Sequence, residues 1–296
     1  MLPLCDHRDV SPKRSPRDLG IDDLVLNHFS LARDHPIEDR LAAAGAAGFA
    51  GIGLYIGQYV ALRDDAGFGI DRLAALLDEH DLCLAEIEVL GGWAGGDAAK
   101  ARCAEFETVA WEMAERFECR YVQAIGPYEG TIDDAGDAYA GLCDRAAAHG
   151  LVAGLEFLPF TNIVTPADAL AIVDRADRPN GGVCVDIWHH TRGANDVAQI
   201  RAIPAAKVTG IQISDGPLVQ ELDSYYEDCL RRRVPPGEGE MDAVGFVATL
   251  LDMGVTVPFS LEVCSEAAWG KPAAEHVGRC GDGLRSVLAE AKARLG

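Results

Sequence analysis

The sequence lacks long hydrophobic runs and is poor in positive charge. No apolar stretch approaches the roughly 20 residues needed to cross a bilayer, and the first twenty residues, MLPLCDHRDVSPKRSPRDLG, contain no apolar signal core. We therefore expect no membrane association and a cytoplasmic location. The 296 residues include 26 Lys and Arg against 47 Asp and Glu, a formal net charge of −21. This balance argues against nucleic acid as a partner and leaves a small-molecule substrate as the expectation.

Paired cysteine motifs are also absent. Nine cysteines are scattered along the chain without a CxxC pair, which favours reduced and mostly buried thiols over a disulfide framework or a structural zinc site. Hydrophobic residues make up 49% and charged residues 25% of the chain, as in ordinary globular proteins. This composition excludes disorder as the main state.

Short apolar runs alternate with longer segments of helical periodicity along most of the chain. Segments such as DRLAALLDEH and KARCAEFETVAWEMAERF carry apolar residues at i, i+3, i+4 spacing and predict helices. The apolar runs predict eight strands, at 24–27, 51–55, 83–89, 121–125, 152–158, 182–186, 208–214 and 259–263.

Glycine stop signals join several helices directly to the next strand, as in AAAGAAGFAGIGL, AAAHGLVAGLEF and LLDMGVTVPFSLE. Eight such units without a linker predict an α/β fold, a single-domain (β/α)₈ TIM barrel over residues 23–296, preceded by a polar extension over 1–22. A doubly wound open sheet is the alternative. The chain has no GxGxxG turn after the first strand and no GxxxxGK[ST] motif, so neither nucleotide-binding fingerprint supports that alternative.

Polar side chains recur near the ends of the last four predicted strands. They are Glu156 in VAGLEFLPF, Asp186 in GGVCVDIWHH, Gln212 in KVTGIQISDG and Glu262 in VPFSLEVCS. Catalytic groups of such barrels lie at the carboxyl ends of the strands. Three carboxylates that converge there would repel one another strongly unless a cation neutralises them. A divalent metal is the simplest interpretation, and separate structural ion pairs are the alternative.

The same segments resemble the xylose isomerase-like TIM-barrel superfamily of sugar phosphate isomerases and epimerases, which includes inosose dehydratases, 3-dehydroshikimate dehydratases and endonuclease IV. The resemblance rests on GLEFLPF, on the Asp-x-x-His of Asp186 and His189, on IQISDG, on the R-x-x-P-G-x-G that starts at Arg233, and on SLEV. It covers the C-terminal half closely, whereas the N-terminal half matches only in its strand–helix rhythm.

The resemblance implies metal ligands at Glu156, Asp186, Gln212 and Glu262 and a substrate-contacting His189. Many sugar epimerases of this group have histidine where this chain has Gln212, and glutamine there resembles the dehydroshikimate dehydratase branch. An oxygen-only ligand set suits one Mn²⁺ or Mg²⁺ ion better than Zn²⁺, with Co²⁺ or Zn²⁺ as possible substitutes.

Three further residues are candidate substrate-binding groups. His28 ends the first strand, although a hydrogen-bonded barrel position is an equal alternative. Glu88 is interpreted as facing the opposite side of strand three from Glu86 and as pointing into the pocket, with a helix-facing ion pair as the alternative. Arg233, in the long loop after strand seven, is a candidate for a substrate phosphate or carboxylate, whereas Arg231 and Arg232 suit ion pairs with nearby acids.

The candidate groups suit proton abstraction next to a carbonyl. Glu156 and Glu262 would remove and return a proton during epimerisation or aldose–ketose isomerisation, the function that we favour from the sequence. The alternative is a lyase that expels a hydroxyl group with His189 as the acid. An abasic-site endonuclease is disfavoured by the −21 charge. Barrel helices often pair, so a homodimer is the expected assembly.

Overall fold

Eight parallel strands form a closed barrel in the computed structural model, which describes residues 15–32 and 35–296. The strands follow one another around the ring in chain order. They are β1 Leu24–Leu26, β2 Gly51–Tyr55, β3 Cys83–Gly91, β4 Tyr121–Ile125, β5 Val152–Glu156, β6 Gly181–Asp186, β7 Val208–Ile213 and β8 Phe259–Leu261. The predicted single-domain (β/α)₈ barrel is confirmed, and the open sheet is excluded because β8 pairs with β1.

Eleven α-helices lie among the strands of the described part of the chain. They are α1 Ile37–Ala46, α2 Ile56–Ala66, α3 Ile70–Glu79, α4 Asp97–Phe117, α5 Ile132–Ala147, α6 Pro166–Ala176, α7 Ile187–Arg192, α8 Val197–Arg201, α9 Tyr225–Arg231, α10 Ala243–Asp252 and α11 Ala273–Leu295. Short 3₁₀ helices span Pro16–Asp18, His28–Ser30, Ala205–Lys207 and Glu266–Ala268. None of the described helices is long and apolar enough to cross a membrane.

The glycine stop signals have the backbone conformation that the sequence predicts. Gly48, Gly150 and Gly254 follow α1, α5 and α10 with φ angles of 75°, 73° and 78°. Residues with a side chain rarely adopt such positive angles. Capping boxes at Thr131 and Thr165 begin α5 and α6, so local sequence signals define both ends of α5.

The strand positions agree with the predictions, whereas several strand ends do not. β5 ends at Glu156 and not at Leu158, because the Leu158 amide donates to the Ile163 carbonyl across a turn. β8 ends at Leu261, which leaves Glu262 just beyond the strand. The early ends place both carboxylates at the carboxyl end of the barrel.

The apolar core lies between the strands and the surrounding helices. The eight described cysteines are buried and unpaired with one another, as expected for reduced thiols, and Cys5 lies outside the described residues. The predicted extension over 1–22 falls partly outside them as well, so its boundary stays a prediction. Its described part, around Arg17, lines a cavity of about 330 Å³ at the amino-terminal ends of the strands.

Candidate active site

Four neighbouring strands bring the predicted polar side chains to one end of the barrel. Glu156 and Asp186 are the last residues of β5 and β6, Gln212 lies on β7 opposite Asp186, and Glu262 directly follows β8. All four side chains are buried. Because the carboxyl ends of parallel strands meet at one edge, these side chains lie at the same end of the barrel.

Glu156, Asp186 and His189 come close enough to hold one metal ion. Their ligand atoms all lie within 4.8 Å of one another. The Asp-x-x-His spacing explains this, because Asp186 caps the amino terminus of α7 and accepts the Trp188 and His189 amides at 2.5 and 3.4 Å through Oδ1. The first turn of α7 thereby returns His189 to the space beside Asp186.

Two amide side chains connect this triad to Glu262. Gln123, on β4, donates to Glu156 Oε2 at 2.7 Å. Gln212 Nε2 lies 3.3 Å from Gln123 Oε1 and 3.4 Å from Glu262 Oε1. The amides therefore join β4, β5, β7 and β8 in one polar network, and Gln123 belongs to the site.

Arg233 occupies the space between two of the predicted metal ligands. Its Nη1 lies 2.8 Å from Asp186 Oδ2 and 2.9 Å from Glu262 Oε2. The guanidinium carbon lies 5.4 Å from the centroid of a buried Trp188 ring. Its role as a substrate-binding group stays a prediction, and in this structure it neutralises carboxylate charge.

Burial and mutual repulsion set the protonation of the site. Burial, with the charges of Glu262 and Asp186, raises the pKa of Glu156 well above its usual value. Burial also raises the pKa of Glu262 to about 8, against the opposing effect of Arg233. Asp186 is also buried, but Arg233 and His189 lower its pKa below the usual value. Burial lowers the pKa of His189 to about 4, so its ring is neutral at pH 7.

The charge balance and donor chemistry fit a divalent cation. Glu156, Asp186 and Glu262 carry three formal negative charges when ionised, and Arg233 offsets one, which leaves two. Among the described residues, Arg233 is the only Lys or Arg within salt-bridge distance of these carboxylates. Carboxylate and amide oxygens with one imidazole are suitable ligands for several divalent ions.

The prediction that Glu86 and Glu88 face opposite sides of β3 is wrong. Residues two apart on a strand point to the same face. Glu86 accepts from Ser260 Oγ at 2.7 Å, and Glu88 accepts from Asn27 Nδ2 at 2.7 Å. Both carboxylates are buried inside the barrel beside Gly53. Burial raises the pKa of Glu86 to about 7 and that of Glu88 well above its usual value.

His28 packs against aromatic rings at the end of β1, and Arg231 and Arg232 form ion pairs. The His28 ring packs 5.3 Å from Phe29 and 6.0 Å from Tyr55, measured between ring centroids. The common partner of Arg231 and Arg232 is Glu266 in the loop after β8, and only Arg231 also pairs with an acid one helical turn away in the sequence, Glu227. Arg231 lines a cavity of about 490 Å³ that opens between the loops after β1 and β8 and helix α9.

Tyr225 is a site residue that no sequence pattern indicates. Its hydroxyl lies 3.0 Å from His189 Nδ1. Tyr225 begins α9, in the long segment between β7 and α10. No periodicity or motif predicts which residue of such a loop returns to the site, so only the three-dimensional path of the chain reveals it.

Fold and site together define a (β/α)₈ barrel with an acidic, amide-containing pocket at the carboxyl ends of β5 to β8. The profile of the family described as xylose isomerase-like TIM barrel matches residues 41–280. The chain belongs to this family.

Two curated relatives share a stretch of this chain. A 3-dehydroshikimate dehydratase of Pseudomonas putida is 33% identical over 177 residues, which cover 57% of this chain and 26% of the relative. A protein of the same name from Pseudomonas aeruginosa is 36% identical over 152 residues, 50% of this chain and 23% of the relative. The matched region thus spans about a quarter of the length of these relatives.

A solved structure of the IolI protein with a zinc atom has the same fold. It superimposes with a TM-score of 0.80 at 18% identity, covering 91% of this chain and 99% of that chain. At this level of identity the likeness concerns the fold alone.

Proposed function

We propose that the chain is a divalent-metal-dependent dehydratase that acts on a small cyclic hydroxyketone of the 3-dehydroshikimate class. The observation that carries the proposal is the convergence of Glu156, Asp186 and His189 within 4.8 Å, which places a candidate acid–base group directly beside two candidate metal ligands. The two curated relatives are both named 3-dehydroshikimate dehydratase, in agreement with the prediction that this chain is an enzyme. They favour the lyase alternative over the isomerase or epimerase preferred from the sequence.

The ion would be held by the carboxylates of Glu156, Asp186 and Glu262 and by the amide oxygen of Gln212. A bound divalent ion would polarise the substrate carbonyl and stabilise negative charge on its oxygen. The buried setting strengthens every such interaction, because water is excluded from the four side chains.

His189 is the group that moves the proton. Its neutral ring accepts the hydrogen from the carbon next to the carbonyl, and the electrons of that C–H bond become the enolate. When the C–O bond to the β-hydroxyl breaks, the same nitrogen returns its proton to the leaving oxygen. The products are water and a new carbon–carbon double bond, and His189 is neutral again, so protons and electrons balance.

Isomerisation or epimerisation is the second candidate function. Glu156 and Glu262 approach the pocket from β5 and β8, and both have a raised pKa. Two carboxyl groups on different sides of a substrate suit removal and return of a proton. A hydroxyketone that exchanges hydrogen with D₂O solvent without losing water would support this function.

The direct test is incubation of the protein with 3-dehydroshikimate and Mn²⁺, monitored by absorbance of the aromatic product. We expect Glu156→Gln and Glu262→Gln each to reduce turnover by roughly 10²-fold or more, because each change removes a proposed ligand of the ion that would stabilise charge on the substrate oxygen. Metal content is measured on each variant, because both residues are also proposed ligands. Glu129→Gln, at an exposed position of the loop after β4, is the matched control. An absence of product from metal-loaded protein would contradict the proposal.

A further inference from the structure

Besides the carboxylates, His189 has another polar partner, the hydroxyl of Tyr225, which has no role in the proposed reaction. We propose that Tyr225 is a positioning residue that, together with Arg233, holds His189 in a single orientation and tautomer, with the hydrogen on Nδ1 and the lone pair on Nε2. The expected effect of Tyr225 on kcat rests on the proposed function of His189. The tautomer of His189 does not depend on that function.

The environment of Nε2 determines where the ring hydrogen lies. Arg233 Nη2 is 3.4 Å from His189 Nε2, and a guanidinium group has donors only. Nε2 must therefore accept. Glu156 Oε1 and Asp186 Oδ2 lie 3.7 and 3.9 Å from the same nitrogen, beyond ordinary hydrogen-bond length. The ring hydrogen is consequently on Nδ1.

Tyr225 provides the acceptor that this tautomer requires. The Nδ1–H group donates to the Tyr225 hydroxyl oxygen across 3.0 Å. The side chain of His189 is buried, so water does not replace this partner, and an unmatched N–H would cost free energy. The Phe160 ring lies against both partners, with centroids 6.1 Å from His189 and 5.9 Å from Tyr225.

The backbone that carries Tyr225 is itself anchored. Ser224 caps α9 by accepting the Glu227 amide. Asp228, one turn into α9, is fully buried, accepts the amides of Glu221 and Leu222, and pairs with Arg192 at 2.7 Å. Tyr225 is therefore held on a fixed segment, which is what a residue needs in order to orient another side chain.

The tautomer determines what His189 does in the resting protein. With the lone pair on Nε2, the nitrogen that faces Glu156 and Asp186 receives a proton. In the other tautomer the same nitrogen would carry hydrogen toward the donors of Arg233 and that contact would be lost, although the Tyr225 hydroxyl could still donate to Nδ1. Partners that orient a histidine in this way typically contribute 10- to 100-fold to activity or metal affinity.

The experiment compares Tyr225→Phe with Tyr226→Phe. Tyr226 is the neighbouring residue, is 47% exposed and contacts Phe160 at 5.4 Å between ring centroids. Its substitution removes the same hydroxyl group as Tyr225→Phe but leaves the hydrogen bond to His189 in place. Nitrogen-15 NMR of histidine-labelled protein with Mg²⁺ reports the tautomer, and the His189 signals are assigned by their loss in His189→Gln. Thermal unfolding verifies that each variant is folded.

We expect wild type and Tyr226→Phe to show one protonated Nδ1 and one unprotonated Nε2 at His189. Tyr225→Phe should show averaged shifts of both nitrogens, and its kcat on 3-dehydroshikimate should fall about 10-fold or more with KM within about twofold. Identical His189 nitrogen shifts in Tyr225→Phe and wild type would overturn the inference, as would a protonated Nε2 in the wild type. If the shifts change while wild type fails to dehydrate this substrate, the proposed function fails and the inference stands.

Discussion

At the scale of the single residue, Gln212 has the most central position in the site. Its amide lies between Gln123 on one side and Glu262 on the other, at 3.3 and 3.4 Å. An amide presents either an oxygen or an NH₂ group to its surroundings. A substitution of Gln212 can therefore test whether its oxygen or its NH₂ group points toward a bound ion.

We expect Gln212→His to preserve a metal site but to shift its preference from Mn²⁺ toward Zn²⁺ or Co²⁺. The substitution replaces an oxygen donor by a nitrogen donor, which softer ions favour. Competition titrations of Mn²⁺ against Zn²⁺ on wild type and variant measure the affinity ratio. Gln220→His, at an exposed position, is the control for an added histidine. An unchanged ratio would remove Gln212 from the proposed ligand set.

Residue identity alone predicts part of this site. Glu156, Asp186, Gln212 and Glu262 are recognisable because each is polar near the end of an apolar strand, and parallel strands bring their ends together. The partners of these residues are not recognisable in this way. Tyr225 approaches His189 from a segment 36 residues further along the chain, and that return path depends on tertiary packing.

At the scale of the element, β3 differs from the other strands because it carries two carboxylates into the barrel interior. Glu86 and Glu88 have no Arg or Lys partner among the described ion pairs, whereas the buried Glu107 pairs with Arg145 and Asp228 pairs with Arg192. Burial without a cation favours the protonated form. The free energy of unfolding of the barrel should therefore depend on pH through Glu86 and Glu88.

We expect the free energy of unfolding of the wild type to fall more between pH 5 and pH 8 than that of Glu86→Gln. The pKa of Glu86 is raised to about 7 in the folded state from 4.5, so its stabilising contribution is complete below 4.5 and is lost as the pH rises through 7. The difference should be on the order of 2 kcal/mol, shared with Glu88. Urea unfolding at both pH values measures it.

The control for this pH effect is Glu79→Gln, an exposed position at the end of α3. Its unfolding free energy should follow the wild-type pH dependence. Parallel pH curves for wild type and Glu86→Gln would show that Glu86 is ionised at the same pH in the folded and unfolded states, contrary to the expectation.

The positions of the strands can be predicted from the sequence more reliably than the residues at which they end. Periodicity and glycine stops identify every strand of the barrel, because these signals are local. The ends of β5 and β8 differ from the predictions because they depend on where the chain turns. The common direction of Glu86 and Glu88 follows from strand geometry and was available from the sequence.

The acidic composition of the protein as a whole and the proposed metal binding are linked. The chain carries a formal charge of −21, and three of its carboxylates meet at one end of a closed barrel. A cation that binds only the folded site stabilises the folded protein by mass action. Global stability therefore reports on the site without any substrate.

We expect Mn²⁺ at about 100 times its Kd to stabilise the folded protein by roughly 2.7 kcal/mol, and hence to raise Tm by roughly 5 °C or more. Asp186→Asn removes a buried carboxylate of the site and should abolish most of this shift. Asp252→Asn, which removes a half-exposed carboxylate paired with Arg201 on the surface, should retain it. Thermal unfolding with EDTA and with Mn²⁺ provides the comparison. An equal shift in both variants would mean that the ion acts on the general surface charge, and the site assignment would then be wrong.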